Sequence, residues 1–390
     1  MLSAFTGAGG SDLGLEAAGY RTVGCIEVDP DARNTIRTNR PAWNLLEPAD
    51  VTKLVRTLEP SDVGLGKREL DVLVGGPPCQ PFSNAAQWAA SAKAGMKDQR
   101  SDCIRSFFGL VKIFLPKVVL LENVEGFVLG KTSVLRYIKS SITHIEREFG
   151  TQYRLHWKII DACDYGVPQR RRRALVVLLR NHRGGFVWPL PTHLSRPVRA
   201  WDALAGVPNG MATETKGKWA PLLASVPEGQ NYLFHTDRGA GLPLFGYRTR
   251  YWSFLLKLAK DQPSWTLPAQ PGPSTGPFHW ENRPLTVDEL LRLQTFPASW
   301  EVVGTHRSQV RQVGNATPPL LAEVIGRAIG EQIFGLKYGK QKRFWVRRKR
   351  MMQTAEPTQR VPSQFMNMVG KHPPHPGSGL GPNPMTRREK

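Results

Sequence analysis

The feature that most constrains this chain is the alternation, through its first half, of short apolar runs with amphipathic stretches. Residues 2–5, 22–27, 71–74 and 118–122 read as strands, and 11–18, 31–39, 99–114 and 132–149 as helices. That order is the pattern of a parallel sheet covered by helices. A further strand pair is expected at 154–160 and 174–179. From about residue 181 the texture changes: Pro, Gly and Trp become frequent, and helical periodicity is lost until 286–294. Residues 319–334 then place Leu320, Leu321, Val324, Ile325, Ala328, Ile329 and Ile333 on one helical face, which needs a partner surface.

The expected fold class is therefore α/β, a Rossmann-like sheet with an inserted smaller, loop-rich domain. The expected division is 1–180 for the sheet domain, 181–282 for the insert, 283–338 for a return segment that completes the first domain, and 339–390 for a basic, disordered tail. Of the net charge of +21, +11 sits in residues 337–390, where thirteen Lys or Arg face only Glu356 and Glu389. Such basicity favours a polyanionic partner without locating its site. The tail has two readings, attraction to nucleic acid or a solubilising extension. No run of about 18 apolar residues exists, so no membrane span is expected. The start, Met1-Leu2-Ser3-Ala4-Phe5, has no basic n-region, so no secretory signal is expected. The four cysteines, Cys25, Cys79, Cys103 and Cys163, form no Cys-x-x-Cys pair, which leaves neither the common zinc spacings nor a disulfide framework.

Four short motifs carry the chemistry. Phe5-Thr6-Gly7-Ala8-Gly9-Gly10 joins the first strand to the first helix, where glycines let a ligand approach the backbone and the helix N-terminus. Glu27 closes the second strand, where an acid can accept hydrogen bonds from ribose hydroxyls. Position 12 is Asp12, so the third glycine of the dinucleotide pattern is missing, and a ligand without pyrophosphate fits better. The same segment also reads as a tight turn with no ligand.

Gly75-Gly76-Pro77-Pro78-Cys79-Gln80-Pro81-Phe82-Ser83 fixes a rigid loop at the carboxyl end of a strand, the edge where open α/β sheets place their sites. A lone thiol there, near cationic groups, ionises more easily and becomes a nucleophile. Burial as a structural cysteine fits Cys25, Cys103 and Cys163 better than Cys79. Glu122, at the end of the fourth strand, can protonate or hold a ring nitrogen; alone it also reads as a helix cap or a surface acid. Gln169-Arg170-Arg171-Arg172-Arg173 abuts a buried strand, and alternation points Arg171 and Arg173 the same way; a solvated basic run is the other reading.

In this order and spacing the motifs resemble the C5-cytosine DNA methyltransferases of the single-chain bacterial restriction–modification type, over about residues 1–180 and 283–335. Further matches are Asp50-Val51, Asp98-Gln99-Arg100, Arg283-Pro284-Leu285-Thr286, Gln294-Thr295-Phe296-Pro297 and the run from Gln312 through Gly314, Asn315 and Thr317 to Pro319. The resemblance implies an enzyme that moves a methyl group from S-adenosylmethionine to C5 of a flipped cytosine in a specific duplex DNA sequence, through a covalent adduct of Cys79 with C6. It gives Glu122 the ring N3 and exocyclic amine, Arg173 the O2, and Arg171 a supporting place. Cofactor contacts fall to Phe5, Gly7, Ala8, Gly9, Gly10, Glu27, Asp50, Val51, Pro78, Asn315 and Thr317, with no metal. The insert becomes the target-recognition domain, where Arg248, Arg250, Tyr251 and Trp252 offer phosphate and base contacts.

A monomer in the bacterial cytoplasm, associated with the nucleoid through DNA, completes the expectation; a companion endonuclease is not evident from the sequence. The rival readings are a tRNA cytosine methyltransferase and a DNA-binding protein with a dead catalytic domain. The tRNA branch carries a Cys-Phe-Thr element absent from 181–282, and the second rival would lack Cys79 or Glu122.

Overall fold

The computed structural model describes residues 1–78, 101–130, 133–208, 212–247, 252–340 and 351–371. A six-stranded sheet forms its centre, in the order β2-β1-β3-β4-β6-β5. The strands are β1 (Leu2–Ala4), β2 (Gly24–Ile26), β3 (Val72–Gly75), β4 (Val118–Asn123), β5 (Tyr153–Asp161) and β6 (Arg172–Arg180). β1 to β4 are mutually parallel, whereas β6 runs antiparallel to both β4 and β5. The expected parallel sheet and the added strand pair are both present, each within a residue or two of its expected bounds.

The apolar runs are continuous because the sheet is covered on both faces. Leu73, Val119, Leu121, Val176 and Leu178 point into one core with α4 (Asp102–Phe114) and α5 (Leu135–Phe149). Their neighbours Val72, Val74, Val118, Leu120, Val177 and Leu179 point into the other, with α1 (Gly10–Ala17) and α9 (Pro319–Phe334). The period-two alternation of strand side chains produces this division.

The apolar helix α9 finds its partner in α1. Gly14 makes the contact possible: a Cβ there would lie 2.3 Å from the Pro319 carbonyl oxygen and 2.5 Å from the Ala322 Cβ. The Tyr20 hydroxyl donates to the Gly326 carbonyl at 3.0 Å. A third core joins α2 (Pro30–Asn39) to α6 (Ala200–Leu204), α7 (Val287–Leu293) and α8 (His306–Asn315), through Ile36, Trp43, Trp201, Leu291, Phe296, Trp300 and Val313. The short helix α3 (Val51–Leu54) follows the β2 region.

A fourth, smaller core lies within residues 222–278, in the stretch expected to be the insert. Leu222, Leu223, Tyr232, Phe245, Phe254 and Phe278 pack together there, and so does Phe365 from the C-terminal region. Disorder throughout residues 339–390 is therefore corrected for 351–371. The ring of Phe365 stacks on Trp219, with centroids 5.7 Å apart, and only 3% of the residue is exposed. Backbone bonds from Gln359 to Ala224 and from Gly370 to Pro243 tie the segment down at both ends. A single large aromatic supplies the burial that the polar composition around it conceals.

Candidate active site

The strand order makes the site. β1 lies between β2 and β3, so the chain leaves β1 on one side and comes back on the other, opening a crevice at the carboxyl edge. The register Ile26–Ala4–Gly75–Leu121 runs across four strands. The residues that follow, Glu27, Phe5, Gly76 and Glu122, therefore emerge side by side. Because β6 is antiparallel, its start enters at this same edge and brings Arg170, Arg171, Arg172 and Arg173 with it.

The turn after β1 has the backbone of a cradle. Phe5 takes φ +58, and Gly7 and Gly9 take +56 and +79. A left-handed phenylalanine is uncommon and persists only where its surroundings hold it. Here its N–H donates to the Ile26 carbonyl at 2.8 Å and its ring stacks on Phe107. Glu27 is 8% exposed, and its carboxylate accepts from the N–H groups of Gly7 at 2.7 Å and Asp29 at 2.8 Å. Burial raises its pKa, while those two N–H donors oppose the rise. Ala8 and Gly10 are buried against the return segment, where a Cβ on Gly10 would lie 2.1 Å from the Thr317 carbonyl oxygen. Asp50 caps α3, accepting from the Thr52 N–H and hydroxyl at 2.8 and 2.7 Å, and these bonds lower its pKa. Val51 beside it is buried, Thr317 is half-buried, and Asn315 is exposed.

Among the described residues, the second half of the site is the end of β4. Glu122 Oε1 lies 2.9 Å from Arg173 Nε, with the two side chains 12% and 13% exposed. The carboxylate also approaches Gly76, whose Cβ position is 3.5 Å from Glu122 Oε2. Asn123 fastens the proline loop to this strand, its Nδ2 donating to the Pro77 carbonyl at 2.8 Å while its Oδ1 accepts from the Val124 N–H. The exposed Pro78 follows. Cys79 and the Asp98-Gln99-Arg100 match lie outside the described residues, as do Arg248, Arg250 and Tyr251. Cys25 and Cys163 are buried, which pushes their thiols up, and Cys103 is half-buried.

The four arginines separate. Arg171 is 1% exposed and its Nη2 donates to the Gly314 carbonyl at 2.9 Å, so it braces the return segment against β6. Of the expected pair, Arg173 meets Glu122 and Arg171 meets a backbone carbonyl from α8. Arg172 pairs with Glu125 at 2.8 Å, and the Arg170 guanidinium lies over the Trp265 ring.

Sequence reading named Gln169, Gln294, Arg283 and Thr286 within motifs without their part in joining the structure, and it missed Glu289. Gln169 Nε2 donates to Gln294 Oε1 at 3.1 Å, and Gln294 Nε2 donates to the Val313 carbonyl at 2.7 Å. Arg283 forks onto Glu289 at 2.8 and 2.9 Å while Glu289 and Thr286 form a capping box on α7. The Thr-x-x-Glu spacing of 286 and 289 was the available signal. Among the described residues no group of His, Cys, Asp and Glu could hold a metal, and no helix is long and apolar enough to cross a membrane.

Solved structures share the fold. A structure described as a DNA modification methyltransferase from an E. coli prophage aligns with TM-score 0.60 and 23% identity, covering 85% of this chain and 99% of that one. The Dnmt2 methyltransferase of S. pombe aligns with TM-score 0.54 and 17% identity, covering 85% and 99%. Among curated relatives, the type II methyltransferase M.SacI of Streptomyces achromogenes is 33% identical over 371 residues, 85% of this chain and 93% of its own. M.Eco47II of Escherichia coli is 33% identical over 345 residues, 84% and 78%. The model of the C-5 cytosine-specific DNA methylases matches residues 1–205 and 246–331, leaving out 206–245, within the insert, and everything beyond 331. With the glycine cradle, the Glu122–Arg173 pair and the proline loop on one edge of such a sheet, this chain belongs to the C-5 cytosine-specific DNA methylase family.

Proposed function

We propose that the chain is the modification methyltransferase of a type II restriction–modification system, methylating C5 of one cytosine in a specific duplex DNA word. The carrying observation is the Glu122–Arg173 pair, 2.9 Å apart and nearly buried, at the edge where the Pro77-Pro78 loop leads into Cys79. The cradle fits S-adenosylmethionine: left-handed glycines admit a ligand to the backbone, and Glu27 presents a fixed carboxylate at a strand end. Bound there, the cofactor supplies an electrophilic methyl group.

The residues of the chain do the rest. Cytosine C5 is a poor nucleophile, and attack of the Cys79 thiolate on C6 breaks the aromaticity and makes C5 enamine-like. Negative charge then builds on the ring. Glu122 delivers a proton to N3 and accepts from the exocyclic amine, and Arg173 faces O2, so both act where charge develops. After C5 is methylated, loss of its proton to a base or water and departure of the Cys79 thiolate from C6 restore aromaticity. Arg171, buried against Gly314, keeps the strand carrying Arg173 in register with the return segment. The target base is extruded from the duplex, at a cost of a few kcal/mol, into the cleft between sheet and insert. The insert around the Tyr232–Phe254 core serves as the target-recognition domain, and the basic tail adds attraction for the duplex. The protein works as a monomer in the cytoplasm.

The test uses Cys79→Ala and DNA with 5-fluorocytosine at the target. The variant keeps DNA binding and loses methyl transfer. The parent traps a cofactor-dependent protein–DNA adduct on denaturing gels, because fluorine does not leave as a proton does. Turnover by the variant, or no adduct with the parent, refutes the covalent scheme.

A further inference from the structure

Where β6 starts, the insert is stitched to the catalytic edge. The Arg170 N–H donates to the Ser264 carbonyl at 2.8 Å, and the Ser264 N–H donates to the Pro168 carbonyl at 2.9 Å. The Thr266 hydroxyl donates to the Arg170 carbonyl at 2.7 Å. These bonds fix Trp265 beneath the Arg170 guanidinium, whose carbon is 5.3 Å from the ring centroid. Trp252 meets Trp265 edge-on, with centroids 5.4 Å apart at 70°, yet stays 44% exposed. Asn231 holds its backbone, donating to the Trp252 carbonyl at 2.7 Å.

Two features set this cluster apart from ordinary surface. Arg172 and Arg173 each pair with a glutamate, whereas no carboxylate among the described residues pairs with Arg170, which is exposed. Its cation rests on an aromatic face, which orients the guanidinium while leaving its edge donors open. A large indole exposed beside such a cation is the composition of a nucleic-acid contact, in which cations follow phosphates and rings stack on bases. Position agrees: Arg170 is three residues from Arg173, a reach of roughly 10 Å along extended chain.

We propose that Arg170, Trp265 and Trp252 form a clamp on the DNA strand beside the extruded cytosine. Arg170 binds a backbone phosphate, Trp252 stacks on an adjoining base, and Trp265 holds both. The clamp positions DNA and takes no part in the chemical step. It rests on the DNA-methylating function proposed above and goes beyond it by naming the contact.

The full-length chain is tested on a plasmid that it methylates, with tritiated S-adenosylmethionine. Trp252→Leu raises KM for DNA about tenfold, within the usual range for a lost base stack, and leaves kcat nearly unchanged. Trp252→Phe restores most of the KM, because a ring can still stack. Arg170→Gln lowers the slope of log affinity against log salt by about 0.9, the value for one phosphate contact. A KM within twofold of the parent for Trp252→Leu, or equal KM for the Leu and Phe variants, overturns the proposal. Should Trp252→Leu lower the melting temperature, the exposed Arg170→Gln decides, and an unchanged salt slope overturns it. A parent that methylates no DNA refutes the function itself, whereas a parent that does so with matching variants refutes the clamp alone.

Discussion

Replacing Glu122 with Gln tests how the catalytic edge works. The substitution keeps shape and hydrogen-bonding reach but removes the charge that faces Arg173 Nε at 2.9 Å. Two unit charges about 4 Å apart interact by about 4 kcal/mol at an effective dielectric of 20. Arg173 is 13% exposed and recovers part of that by turning to solvent, so the folded state should lose only about 1–2 kcal/mol. The reaction should lose more. In the proposed scheme, ring charge that develops on thiolate attack meets a neutral amide instead of an acid at N3, and losing one such interaction costs about 3 kcal/mol, a factor of 10²–10³ in rate. Arg173→Met should cost a similar amount. Under the roles proposed above the two groups serve the same developing charge and each other, so the double variant should cost about 3–4 kcal/mol and not 6. The assay is single-turnover methyl transfer at saturating DNA and cofactor, with chemical denaturation run in parallel. Single variants within threefold of the parent rate would show that the pair is a structural ion pair. Fully additive losses would show that the two residues act on separate steps.

Two further outcomes follow from packing. Gly14→Ala places a methyl 2.3 Å from the Pro319 carbonyl oxygen, so α1 and α9 must separate; it should cost about 1–3 kcal/mol in urea and weaken cofactor binding measured by calorimetry, and an unchanged midpoint would contradict the close approach. Phe365→Ala empties the stack on Trp219 and should cost up to about 3–5 kcal/mol, less if residues 351–371 simply undock, in which case limited proteolysis should cut that segment faster; unchanged stability and cleavage would contradict its docking.

What the sequence made legible divides along the range of the forces involved. β3 and β4 could be located because each is a short apolar run buried on both faces, and Glu122 because a charge closes one such run. Phe5 to Gly10 could be located because the left-handed turn needs its glycines within a few residues of one another. The helix α8, by contrast, offers only Val310 and Val313 as an apolar stripe, since the polar Ser308 and Gln312 share its buried face. Gln312 accepts from the Thr35 hydroxyl at 2.8 Å and donates to the Val303 carbonyl, bonds that replace burial of carbon and leave no pattern in the string. The burial of Arg171 was hidden for the same reason, its acceptor Gly314 being 143 residues away.

The C-terminal segment 351–371 is a long-range partner of the same kind for the insert. Nothing in the composition of residues 351–371 marks Phe365 as a core residue, and its partners Trp219, Phe245 and Phe254 lie more than a hundred positions earlier. Lys260 reinforces the join, its buried Nζ pairing with Glu228 at 2.7 Å and donating to the Thr354 carbonyl at 3.0 Å. A buried ion pair adds little net stability by itself, but it penalises every arrangement in which one charge lacks its partner. The insert is poor in regular structure, so its shape depends on such specific contacts rather than on a repeating backbone ladder. That core is closed by a segment beyond the family-matched region, so under the role proposed for the insert, changes in residues 351–371 should alter DNA recognition while leaving the glycine cradle and the Glu122 edge intact.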